Sequence, residues 1–173
     1  MPRALRVLAP AERHGRPIID TVILGYAARS APRGTVSGVK GGAYEIALAE
    51  PRRLATDDLL ELDDGRLVEV VAAAEPLLEA RAADLASLAR LAWQLGDRHV
   101  PVQVLNNRIR VQRSGEAEAL LAALGAKVTP IEAPFEPEGG AYSSHARGHA
   151  HRDHDLAHEH HGHSHDHGHH HDH

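Results

Sequence analysis

Cysteine is absent from this chain of 173 residues. That excludes disulfides, thiolate zinc sites and thiol catalysis. The single methionine is Met1, so soft-ligand handling of copper(I) is excluded as well. A metal held here would have to be bound by imidazole, carboxylate, backbone or water, a donor set that suits Ni(II), Zn(II) or Cu(II). Lysine is scarce, and the arginines are scattered among acids with a net charge of −5, so there is no basic stripe for nucleic acid. No apolar run approaches the ~18 residues of a membrane span. The start, Met1-Pro2-Arg3-Ala4-Leu5, has no secretory apolar region, and the expected compartment is the cytoplasm. The sequence also lacks His-Glu-x-x-His, a nucleophile elbow and a phosphate loop, so no enzymatic activity is expected.

Histidine is abundant. Of 16 in the chain, 14 fall between His145 and His173. The remainder of that stretch is mostly Gly, Ala, Ser, Asp and Glu, with Leu156 as its one large apolar residue. Ordering each residue costs about 1–2 kcal/mol of backbone entropy, and almost no apolar surface is available to offset it. The segment 143–173 is therefore expected to be disordered. Runs such as His158-Glu159-His160-His161-Gly162-His163-Ser164-His165 put an imidazole at nearly every second position. A chain of this kind can wrap several donors around one ion, so it reads as a reservoir for several ions. Its candidate ligands are His145, His149, His151, His154, His158, His160, His161, His163, His165, His167, His169, His170, His171 and His173. It lacks the six contiguous histidines of a purification tag. A pure pH sensor is the weaker reading.

The preceding residues suggest an α+β protein in two domains. Residues 1–74 read as β-rich. Ala4–Ala9, Thr21–Leu24 and Ala43–Leu48 are short apolar or alternating runs between Gly/Pro/Arg stretches. Asp63-Asp64-Gly65-Arg66, between Leu59–Leu62 and Leu67–Val71, reads as a hairpin turn. His14 reads as an exposed loop residue. Asp84 can cap a helix carrying Leu85, Leu88, Leu91, Ala92 and Leu95, with Gly96 as the residue that ends it. A strand over Val100–Leu105, a turn at Asn106-Asn107 and a strand over Arg108–Gln112 follow. Ser114 can cap a second helix with Ala117, Leu120, Leu121 and Leu124 buried and Gly125 at its end. Lys127 opens a last strand. With an opening strand at Val68–Ala73 or Leu77–Ala80, the order is β-α-β-β-α-β, the ferredoxin-like split βαβ pattern. Pro134–Tyr142 reads as an extended linker that closes this second domain, 75–142.

His99 is the one histidine inside the second domain, at a junction between helix and strand. One imidazole makes no tight site. A twofold axis near His99 would supply two, and tail histidines, His145 first, would complete the set. A homodimer with an interfacial metal is the expectation.

Leu95-Gly96-Asp97-Arg98-His99-Val100-Pro101-Val102-Gln103 closely resembles the LGNRHxPxQ signature of the UreE-type urease accessory proteins. Pro134-Phe135-Glu136-Pro137-Glu138-Gly139-Gly140-Ala141-Tyr142 resembles that family's second motif, and Asp64–Val70 also fits. Residues 57–173 carry the likeness, while the first ~50 share only a general β character. The resemblance implies a homodimeric nickel metallochaperone, with a β-rich N-terminal domain and a ferredoxin-like metal-binding domain. Its partners would be the urease accessory GTPase and the urease apoprotein complex. The family's interfacial histidine maps onto His99, and its ligand after the Gly-Ala-Tyr motif maps onto His145. Asp97 stands in place of the usual Asn. Gln112, Arg113, Ser114 and Gly115 stand where some members carry auxiliary histidines. A general Ni/Zn storage or detoxification protein is the alternative reading.

Overall fold

The computed structural model describes residues 1–50 and 52–139. The proposed reservoir, His145 and the thirteen histidines after it, lies outside the described residues, as does the end of the expected linker. The protein is a mixed α+β, strand-rich molecule with few helices, and its strands form two sheets.

The first sheet has six strands in the order β2-β6-β5-β1-β4-β3. These are β1 Arg3–Leu8, β2 Ile18–Leu24, β3 Gly34–Ser37, β4 Ala43–Ile46, β5 Leu59–Leu62 and β6 Leu67–Ala72. The Asp-Gly turn joins β5 to β6 as expected: Gly65 has a φ of 81°, a left-handed value open to glycine at no steric cost. Two pairings, β1 with β4 and β2 with β6, are parallel, which no local pattern announced. Alternation buries one face of these strands. Ala4, Val22, Tyr44, Leu60, Leu62, Val68 and Val70 meet in one core. A five-residue helix, α1 Tyr26–Ser30, follows β2; the sequence reading had no helix there.

The second sheet has four strands in the order β10-β7-β9-β8, all pairs antiparallel. They are β7 Ala74–Arg81, β8 Gln103–Leu105, β9 Arg108–Gln112 and β10 Lys127–Pro134. The opening strand is thus Ala74–Arg81, and the competing Val68–Ala73 stretch belongs to the first sheet. Helices α2 Leu85–Asp97 and α3 Gly115–Ala123 cover one face. Leu88, Leu91 and Leu95 of α2 pack with Ala117 and Leu121 of α3 over Leu78, Ala80, Ile109 and Val111. On the opposite face Glu79 pairs with Arg81, Arg108 and Arg110. Burial pushes the Glu79 carboxyl up, but the three guanidiniums outweigh it and hold the pKa below the ordinary value.

Two details of α2 depart from the pattern in the sequence. Leu85, counted with the apolar residues at helical spacing, is 69% exposed, because it opens the helix and the buried stripe starts at Leu88. Gly96 does not end the helix, which runs on through Asp97. The linker reading also fails over its first part. Pro134 is the last residue of β10, and Phe135 is fully buried.

Candidate metal site

His99 is held in place by the way α2 stops. Arg98 is the C-cap, and His99 follows with a φ of 57°. The His99 N–H donates to the Gly96 carbonyl at 2.9 Å and the Val100 N–H to the Leu95 carbonyl at 3.0 Å. This pair of bonds is the Schellman turn, which satisfies carbonyls that the helix leaves orphaned. Its apolar closure is present too: Leu95 is fully buried, and Val100 packs against the same core. The left-handed position after the cap usually falls to glycine, because a Cβ costs about 1–2 kcal/mol there. Histidine is among the few residues enriched in that region, and a non-glycine held there marks a place to look for function. His99 itself is exposed, so its imidazole is open to partners. The expected strand start at Val100 moves to Gln103 because this turn uses Val100.

Among the described residues, no three His, Asp or Glu side chains converge into a metal-binding group. His14 is exposed in the first half, as expected of a loop residue, and is not part of the His99 turn. Arg98 turns back to donate from Nη1 to the Gln94 carbonyl at 2.8 Å.

The residues that follow β10 return to this turn. After β10 the backbone crosses from one edge strand to the other. The Glu136 N–H donates to Gln103 Oε1 at 3.5 Å, and the Glu138 N–H to the Val102 carbonyl at 2.8 Å. Val102 lies three residues after His99, and His145 seven residues after Glu138. Seven extended residues span up to about 24 Å, enough to reach back over three.

A second group of residues, invisible in the spacing of the sequence, holds this returning segment. Arg29 of α1 is fully buried. It donates from Nε to the Leu24 carbonyl (3.0 Å) and from Nη1 to the Leu54 carbonyl (3.2 Å) and Glu136 Oε1 (2.9 Å). Its Nη2 donates to the Phe135 carbonyl at 2.6 Å. The Thr56 N–H donates to the same Glu136 oxygen at 3.0 Å, and Arg53 Nη1 to the Pro137 carbonyl at 2.7 Å. The Phe135 ring meets Tyr26 edge-on, with centroids 5.2 Å apart. Helix α2 also leaves Trp93 70% exposed on the side that carries Leu85, one turn and a half before His99. No count of the apolar stripe had singled it out.

The profile of the UreE urease accessory protein N-terminal domain matches residues 4–73, and that of the C-terminal domain matches residues 75–173. The urease accessory protein UreE of Bradyrhizobium sp. (strain BTAi1) is 49% identical over 155 residues, 88% of this chain and 75% of that protein. That of Beijerinckia indica is 42% identical over 154 residues, covering 89% of this chain and 87% of the relative. That of Chelativorans sp. is 42% identical over 162 residues, covering 90% and 100%. The two profiles divide the chain as its two sheets do, and together they span it almost from end to end: the chain belongs to the UreE urease accessory protein family.

Proposed function

We propose that this protein is a nickel metallochaperone of the cytoplasm that carries Ni(II) for assembly of the urease active site, with no catalysis of its own. Membership of the urease accessory family supports a role in urease maturation. The observation that carries the nickel reading is the bond from Glu138 N–H to the Val102 carbonyl. It holds Glu138, seven residues before His145, beside the turn that presents His99. In this reading His99 of each of two subunits supplies the transfer site, and His145 helps to close it. The histidines from His149 to His173 collect and buffer ions. Neutral imidazole is a good donor for Ni(II), and Zn(II) and Cu(II) compete for it in vitro.

The homodimer is part of the proposal. The exposed side of α2, with Leu85, Ala89 and Trp93, is the surface an isologous contact would cover, and it leads to His99. The order β7-α2-β8-β9-α3-β10, and sheet order β10-β7-β9-β8, support reading 75–142 as a ferredoxin-like metal-binding domain beside a β-rich domain, 1–74. The recipients would be the urease accessory GTPase and then the urease apoprotein complex. The competing reading, a general Ni/Zn store, rests on the histidine-rich segment alone and gives His99 no task.

Nickel calorimetry separates the two readings. A chain ending at Tyr142 is expected to lose most of its ions but keep a weakened site. His99→Ala is expected to keep nearly full capacity and to lose the tightest site together with urease activation. Unchanged activation in His99→Ala would leave the storage reading standing.

A further inference from the structure

We propose that Arg29, Arg53 and Thr56, all from the N-terminal half, form a clamp on Phe135–Pro137 that fixes where the histidine-rich segment leaves the fold. They would thus act as positioning residues for the delivery of His145 to His99. The effect on nickel rests on the reading above; the clamp does not.

The clamp is more than the sheet needs. Strand β10 is already paired along its whole length with β7, and that pairing ends at Pro134. Beyond it, Phe135–Pro137 has no strand partner, yet a fully buried guanidinium, an arginine and a backbone N–H hold three successive residues. A buried Arg is held in place only where acceptors surround it, and here two of its four acceptors belong to this segment. The direction imposed is specific. β10 is one edge of the sheet and β8 the other, and the clamped segment runs from the first to the second. Three strand spacings amount to about 14 Å.

Releasing the clamp would change the tether in two ways. The anchor would retreat from Glu138, seven residues from His145, to the buried Phe135, ten residues away. Its origin would also shift to the far edge, away from the His99 turn. Effective concentration falls at least as the −3/2 power of tether length and further with a longer span. Together these predict that the site uniting His99 and His145 weakens about three- to tenfold, while total capacity is untouched.

Arg29 is too central to delete safely, so the test uses Arg53→Ala with Glu136→Gln in the full-length chain. Both changes leave the two cores intact. The native chain has no cysteine, so Asn106→Cys and Gly139→Cys, both at exposed positions, give a unique pair of spin labels. Dilution with unlabelled chain keeps each measured pair within one molecule. Without metal, the clamped chain is expected to show a narrow distance distribution. The double variant should broaden it and lengthen its mean by up to ~10 Å. Restoring Glu136 and placing Lys at 53 should recover most of the narrow form. An unchanged distribution in the double variant would overturn the clamp, whatever nickel does. A broadened distribution with unaltered nickel affinity would overturn its role in delivery. If His99→Ala has no tightest site to lose, the nickel reading fails, and the label distances still judge the clamp.

Discussion

Helices α2 and α3 lie on the same face of the same sheet and are built from the same parts up to one residue. Each starts at a side-chain cap: Asp84 accepts the Ser87 N–H, and Ser114 accepts the Ala117 N–H. Each ends in a Schellman turn closed by a fully buried leucine, Leu95 or Leu121. In α3 the left-handed residue after the cap is Gly125, with a φ of 74°, and the bonds from the Gly125 N–H to the Ala122 carbonyl and from the Ala126 N–H to the Leu121 carbonyl repeat those of His99 and Val100. In α2 the same position is His99. The fold asks both ends for glycine, and only one complies. An exposed imidazole kept at a strained position, where glycine would serve stability better, points to a use for that imidazole outside the fold.

The largest effect expected from breaking this comparison is at the closing leucines. Leu95→Ala and Leu121→Ala should each lose about 2–5 kcal/mol in denaturant unfolding. A much smaller loss at Leu95 would mean that the α2 turn is not closed as the α3 turn is. Next come the left-handed residues, which should respond with opposite signs. Gly125→Ala finds open space for its Cβ, so only backbone strain opposes it, and about 1–2 kcal/mol should be lost. His99→Gly relieves that strain but frees the unfolded chain by about 0.5–1 kcal/mol, so it should gain up to ~1 kcal/mol. A clear loss of stability on His99→Gly would show that the imidazole is structural.

Gly96 sharpens the comparison further. It is exposed and helical, and an added Cβ meets nothing within one chain. Gly96→Ala should therefore stabilise the helix by about 0.5–1 kcal/mol. If sedimentation shows instead that it weakens self-association, that side of α2 lies in a subunit contact.

The smallest effect separates the two caps by pH. The Ser87 backbone N–H, first among the causes, holds the Asp84 carboxyl below its ordinary pKa. A carboxyl lowered on folding stabilises the fold above its unfolded pKa, near ~3.9, and that stability is lost as pH falls through the folded value. Ser114 does not titrate. Acidification from pH 7 to 3 should loosen α2 before α3, and Asp84→Ser should reduce the drop in melting temperature over that interval. An equal drop in both proteins would assign the acid sensitivity to other carboxylates.

Much of this was legible in the residues. Both helices, the β5–β6 hairpin and the β8–β9 turn follow from local pattern and turn chemistry, and so does the order β-α-β-β-α-β. These depend on contacts within a few residues, which a sequence displays directly. His99 was legible as the lone histidine between His14 and His145. Its left-handed backbone was not, because Gly96 offered a better local stop and only the packing of Leu95 and Val100 carries the helix to Asp97.

Composition and spacing alone determined that any metal here is held without sulfur, and that the imidazoles gather at one end of the chain. Tertiary structure alone decided that Phe135 is core rather than linker, since its burial depends on Arg29 and Tyr26, more than a hundred residues earlier. No periodicity encodes a pairing of that range. An arginine reads as a surface charge until the acceptors that justify its burial are brought around it, and the three stretches at Leu24, Leu54 and Phe135-Glu136 do so only once both sheets have formed.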